Sequence, residues 1–94
     1  MIQFDWDENK NEINKTKHKL SFEEASSVFF DERAILFDDP EHSDEEDRFN
    51  IIGMSDQANV CIVCHCYRES DSIIRIISAR KAKGKEVDFY VRGI

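Results

Sequence analysis

The chain has one proline, Pro40, and three glycines among its 94 residues. It holds no Pro-rich or Gly/Ser-rich linker, no internal repeat and no low-complexity tract beyond one acidic stretch. A single domain over residues 1–94, with one modest core, is therefore expected. No apolar run approaches the roughly 20 residues that span a membrane. The first residues, Met1-Ile2-Gln3-Phe4-Asp5, lack the basic-then-apolar layout of a signal peptide. A cytoplasmic protein with reduced cysteines and no membrane partner is the expectation. Cations are also short: 13 Lys and Arg stand against 20 Asp and Glu, a formal net charge of −7. That argues against non-specific nucleic-acid binding by the whole surface, but not by a local basic face.

Cysteine is limited to Cys61, Cys64 and Cys66. On a strand, Cys61 points one way, with His65 and Tyr67, and the other two point the opposite way. Two thiolates are not a four-ligand site, so buried structural cysteines and no metal are expected. The acidic stretch, Asp38 to Asp47, lacks the ligand spacing and turn glycine of an EF-hand and reads as a solvated loop.

Enough apolar residues remain for a packed globule, including seven Phe. Gln3–Trp6 alternates like a short strand, and Asp7 is a good N-cap for a polar helix over Glu8–His18. Ile13 is the one clear apolar residue of that helix and is expected to anchor it. Ser21-Phe22-Glu23-Glu24 is a capping box, opening a helix to Phe30 that buries Phe22, Ala25, Val28 and Phe29. Strands follow over Arg33–Phe37, Arg48–Met54, Val60–Tyr67 and Ile73–Ala79, with short connections that imply antiparallel neighbours. Gly84 breaks the chain, and Val87, Tyr90, Val91 and Ile94 recur at helical spacing. The expected fold class is α+β: two N-terminal helices and a short C-terminal helix on a mainly antiparallel four- to five-stranded sheet.

Charge is unevenly spread. Residues 1–30 carry four cations and six anions, residues 31–59 two and ten, and residues 60–94 seven and four. The cations of Arg75-Ile-Ile-Ser-Ala-Arg80-Lys81 sit at the end of an apolar run, with Arg68 ending the preceding strand. Strict alternation puts Arg75 and Lys81 on one face and Arg80 on the other, unless a bulge or twist intervenes. Such a set is either an ion-paired solvent face or a phosphate site. Guanidinium groups bind phosphate bidentately and stay charged at every relevant pH. His18, between Lys17 and Lys19, suits a helix C-terminus and is also the side-chain type that serves as acid or base near neutrality.

Three stretches in order resemble the BrnT toxin family of bacterial toxin–antitoxin systems. They are Phe4 to Phe29, with Asn14, Lys17-His18 and Ser21-Phe22-Glu23-Glu24-Ala25; Glu45 to Ser55; and Arg75 to Ala82, followed by Glu86 and Tyr90. Lys19 stands where that family usually has a helix-capping glycine. The resemblance implies a RelE-like fold and a metal-independent endoribonuclease that needs no cofactor and inhibits translation. The alternative is a binding module that has lost catalysis. The implied partner is a BrnA-like antitoxin with a ribbon-helix-helix domain, and promoter DNA is reached only through their complex. The implied catalytic positions are Arg68, Arg75, Arg80 and Lys81, joined by His18. Lys17, Arg48, Lys83 and Lys85 are candidate RNA-binding cations around them. The antitoxin is expected to cover the face bearing Arg75, Arg80 and Lys81.

Overall fold

The computed structural model describes residues 2–38 and 47–93. Strand β1 (Gln3–Asp5) leads into helix α1 (Glu8–His18), then α2 (Phe22–Ser27), which tightens into a 3₁₀ turn at Val28–Phe30. Strands β2 (Ile35–Asp38), β3 (Phe49–Met54), β4 (Val60–Arg68) and β5 (Ile73–Lys81) follow, and α3 (Gly84–Arg92) ends the described chain. No helix among the described residues is long and apolar enough to cross a membrane. Most of the acidic stretch, residues 39–46, and the expected helical position Ile94 lie outside the described residues.

The five strands form one sheet in the order β1-β5-β4-β3-β2. It is mixed: β2–β3, β3–β4 and β4–β5 are antiparallel, whereas β1 pairs parallel with β5. Connection lengths predict only pairs adjacent in sequence. β1 reaches its partner after the whole helical segment and three strands have intervened, the long crossover a parallel pair requires. The last helix also departs from expectation, since Gly84 is its first residue, not a break before it.

Helices α1 and α2 and the 3₁₀ turn cover one face of the sheet. Phe22, Ala25 and Val28 are fully buried there with Val63, Ile76 and Ala79. Helix α3 packs on the opposite face, where Tyr90 meets Ile52 and Ile62. Ile13 does not anchor α1, for it is 63% exposed. Two buried amides hold the helix instead. Asn11 donates to Glu8 and Glu23 and accepts the Phe22 N–H at 2.8 Å. Asn14 donates to the Leu20 carbonyl and accepts the N–H of Ala79. β1 pairs with β5 only over Ile73–Arg75, so that amide would otherwise face out of the sheet edge. A buried polar group costs little once every bond is made, so a helix with almost no apolar face can dock this way.

Candidate functional site

Residue Ile77 determines how the cations are arranged. Cys64 pairs with Ser78 and His65 with Ile76, which leaves Ile77 as an extra residue in β5. A bulge of this kind resets the alternation of side chains. Arg75 and Arg80 consequently share one face, and Lys81 turns to the other. The strict alternation that groups Arg75 with Lys81 is therefore broken, and no one face bears Arg75, Arg80 and Lys81 together as expected. Lys81 lies opposite Cys61, whose side chain belongs to the core under α1 and α2.

Cross-strand partners point to the same side of a sheet, so the register maps the α3-bearing face row by row. Ile35, Ile52, Ile62 and Arg80 form one row. Phe37, Asn50, Cys64 and Ser78 form the next. Cys66, Arg75 and Asp5 form a third, and Arg68 with Ile73 and Gln3 a fourth. Rows lie about 7 Å apart, two residues along a strand. Arg75 and Arg80 thus stand on either side of a strip of small, mainly polar side chains.

Each arginine is held by a carboxylate. Arg75 donates through one amino group to Asp5. Arg80 grips Glu86 with two parallel bonds of 2.8 and 2.7 Å. Glu86 also accepts the N–H of Lys83 at 2.8 Å, which caps the start of α3. The hydrogen bonds from Arg80 outweigh partial desolvation and pull the Glu86 carboxyl down to about 2. The same bonds push Arg80 further up, so its charge is permanent. Both guanidinium groups remain partly accessible, with 31% of the Arg75 side chain and 38% of the Arg80 side chain exposed. A guanidinium has five N–H donors in a plane, so a carboxylate on one edge orients the group and leaves another edge for a phosphate.

The remaining predicted positions are dispersed. Arg48 immediately precedes β3, at the Arg68 end of the sheet, whereas Lys83 and Lys85 flank the start of α3 at the Arg80 end. Lys17 and His18 occupy the last turn of α1, which packs along β5, and no hydrogen bond or ion pair joins them to Arg75 or Arg80. Cys61 and Cys66 are buried as expected, but Cys64 is only half-buried in the polar strip. Burial raises the Cys61 thiol to about 11. Among the described residues, no three His, Cys, Asp or Glu side chains are grouped so as to hold a metal ion. The site gains residues that the sequence did not single out, namely Asp5, Asn50 and the Phe37–Phe89 pair.

The family described as "Ribonuclease toxin, BrnT, of type II toxin-antitoxin system" matches residues 6–86. The chain belongs to the BrnT ribonuclease toxin family. The crystal structure of the Brucella abortus ribonuclease toxin BrnT superposes with a TM-score of 0.69 and 23% identity, over 89% of this chain and all of that one. At that identity the likeness bears on the fold. No curated protein matches the chain significantly.

In this chain, most motif residues build the scaffold. Ser21 caps α2 by accepting the Glu24 N–H at 3.0 Å. Glu24 does not reach back to complete the capping box. Its carboxylate accepts from Ser55 Oγ at 2.6 Å and Asn59 Nδ2 at 2.8 Å, tying α2 to the β3–β4 turn. Gly53 is required by close packing, since a Cβ there would lie 2.9 Å from Val28 Cγ1 and 3.0 Å from Ala34 Cβ. His65 is fully buried between Phe29 and Tyr67. Its Nδ1 donates to the Val63 carbonyl at 3.1 Å and its Nε2 accepts from Tyr67 at 3.3 Å. Burial pushes its pKa down, so it is a neutral core residue.

Proposed function

We propose that the α3-bearing sheet face is the RNA-contacting surface of a metal-independent endoribonuclease with a RelE-like fold, formed by one domain over residues 1–94. The observation that carries this reading is the bulge at Ile77, which turns Arg75 and Arg80 to the same side. In the proposed reaction a ribose 2′-oxygen attacks the adjacent phosphorus and the P–O5′ bond breaks. The 2′-hydroxyl loses its proton to solvent, the 5′-oxygen takes one up, and a cyclic phosphate remains. Arg75 and Arg80 hold the phosphate and neutralise the added charge of the transition state. Arg68, on the same face, stabilises the leaving oxygen in preference to Lys81, which is turned away. Arg48, Lys83 and Lys85 extend the electrostatic attraction to RNA at the two ends of the face. The placement of Lys17 and His18 on α1 favours no part for them in the phosphate chemistry.

Cutting RNA would inhibit translation in the cytoplasm. An antitoxin would silence the chain by covering this face with acidic side chains, and a ribbon-helix-helix domain on it would bring the complex to its promoter. A second reading has its own observation: both arginines are already paired with carboxylates. A chain that binds its antitoxin and co-represses without cleaving RNA would look like this. Purified protein incubated with RNA in EDTA separates the two, since the ribonuclease cleaves and the binding module does not. Growth arrest on expression without antitoxin supports the first reading, and harmless accumulation the second.

A further inference from the structure

We infer that Phe37 and Phe89 form a stacking subsite for an unpaired nucleobase, so that single-stranded RNA is the substrate class. This rests on the ribonuclease reading and adds to it. Phe37 lies in the same row as Asn50, Cys64 and Ser78, the strip that Arg75 and Arg80 flank. Phe89 projects from α3 onto it, with ring centroids 6.4 Å apart and planes at 82°. In that edge-on geometry the edge of one ring meets a face of the other, and the two residues are still 38% and 37% exposed. Aromatic surface at the margin of a polar strip flanked by two arginines offers a π-face on which a base can stack.

The strip between the arginines and the ring pair is suited to a nucleotide. The Asn50 side chain, half-buried beside Phe37, makes no hydrogen bond to another described residue, and neither does the exposed Ser78 hydroxyl. An amide and a hydroxyl offer donors and acceptors to a base edge or a ribose. A phosphate on Arg75 or Arg80 therefore places its neighbouring base across polar sheet surface towards the rings. Only an unpaired base can turn a face to them, because stacking on a side chain requires the base to leave its duplex neighbours.

The test uses the full chain and a fluorescent, non-cleavable 2′-O-methyl oligonucleotide, single-stranded or annealed to its complement. Phe37→Leu keeps apolar bulk and packing against α3 but removes the π face, and Phe37→Tyr keeps both. Phe37→Leu is expected to weaken single-strand binding about tenfold, with the slope of log affinity against log salt unchanged, and Phe37→Tyr to bind as wild type. Arg75→Ala is expected to lower that salt slope by roughly one. The duplex is expected to bind alike to all the Phe37 variants. Equal single-strand affinity for wild type and Phe37→Leu, in a protein that still cleaves RNA through Arg75 and Arg80, overturns the stacking subsite alone. A wild type that neither binds nor cleaves RNA overturns both readings. If Phe37→Leu weakens only the antitoxin complex, the rings are a protein anchor and the inference is wrong.

Discussion

Tyr90 donates its phenolic hydrogen to Asp31 at 2.6 Å, joining α3 to the turn before β2 across 59 residues of chain. The same carboxylate accepts the N–H groups of Met54 at 2.8 Å and Arg33 at 3.0 Å. Burial opposes charge on Asp31, but these bonds outweigh it and hold the carboxyl below its usual range. Tyr90→Phe keeps the ring and removes one charge-assisted bond. It is expected to lower unfolding stability by about 1.5 kcal/mol with an unchanged denaturant slope. An unchanged midpoint would mean that the bond contributes nothing net.

Acid should destabilise the protein in two steps. In the unfolded chain His65 is protonated near pH 6.5, as an ordinary histidine is, whereas burial lowers its pKa in the folded chain. Stability is therefore full above about pH 6.5 and falls as pH drops below it. Glu86 is held at about 2 in the folded chain, so its contribution is present above the unfolded value near 4.5 and is lost as pH falls towards 2. His65→Gln should flatten the upper part of a stability–pH curve and Glu86→Gln the lower part. Identical curve shapes for wild type and both variants would refute this assignment.

Lys19 ends α1 with φ 57° and ψ 35°, a left-handed conformation that favours glycine. Lys19→Gly relieves the Cβ clash and is expected to stabilise by about 1 kcal/mol, read from urea unfolding. The opposite sign is expected at Gly53. There Gly53→Ala forces a methyl against Val28 and Ala34 and should cost about 2 kcal/mol. A neutral Gly53→Ala would show that the 3₁₀ turn moves aside freely.

The capped start of α1, the buried face of α2 and the antiparallel β2–β5 ladder were legible because each follows from local periodicity or short connections. What anchors α1 was not legible. Asn11 and Asn14 look like ordinary polar helix residues, and their role depends on Phe22 and Ala79, partners 11 and 65 residues away. The arginine face was half legible. The cations stand out in the sequence, yet one extra residue at Ile77 decides which of them share a side, and an isoleucine within an apolar run gives no sign of a bulge. The Phe37–Phe89 contact joins two elements 52 positions apart and has no local signature.

Complex formation should protect the amides of residues 68–86 from hydrogen exchange, and association should slow as salt is added. An acidic antitoxin segment would be attracted across solvent to the face bearing Arg75 and Arg80, and salt would screen that attraction. Protection confined to residues near Asp38 and Asp47, with β5 exchanging as in the free protein, would place the antitoxin elsewhere.

In the proposed ribonuclease, the face shared by Arg75 and Arg80 does the chemistry. Its most direct measurement is RNA cleavage in EDTA by Arg75→Ala, Arg80→Ala and Lys81→Ala, each checked for an intact fold by thermal unfolding. A loss of about 10²-fold or more is expected for either arginine variant and near wild-type cleavage for Lys81→Ala, whose side chain points to the α1 and α2 side of the sheet. Full cleavage by both arginine variants, or a loss confined to Lys81→Ala, would contradict it.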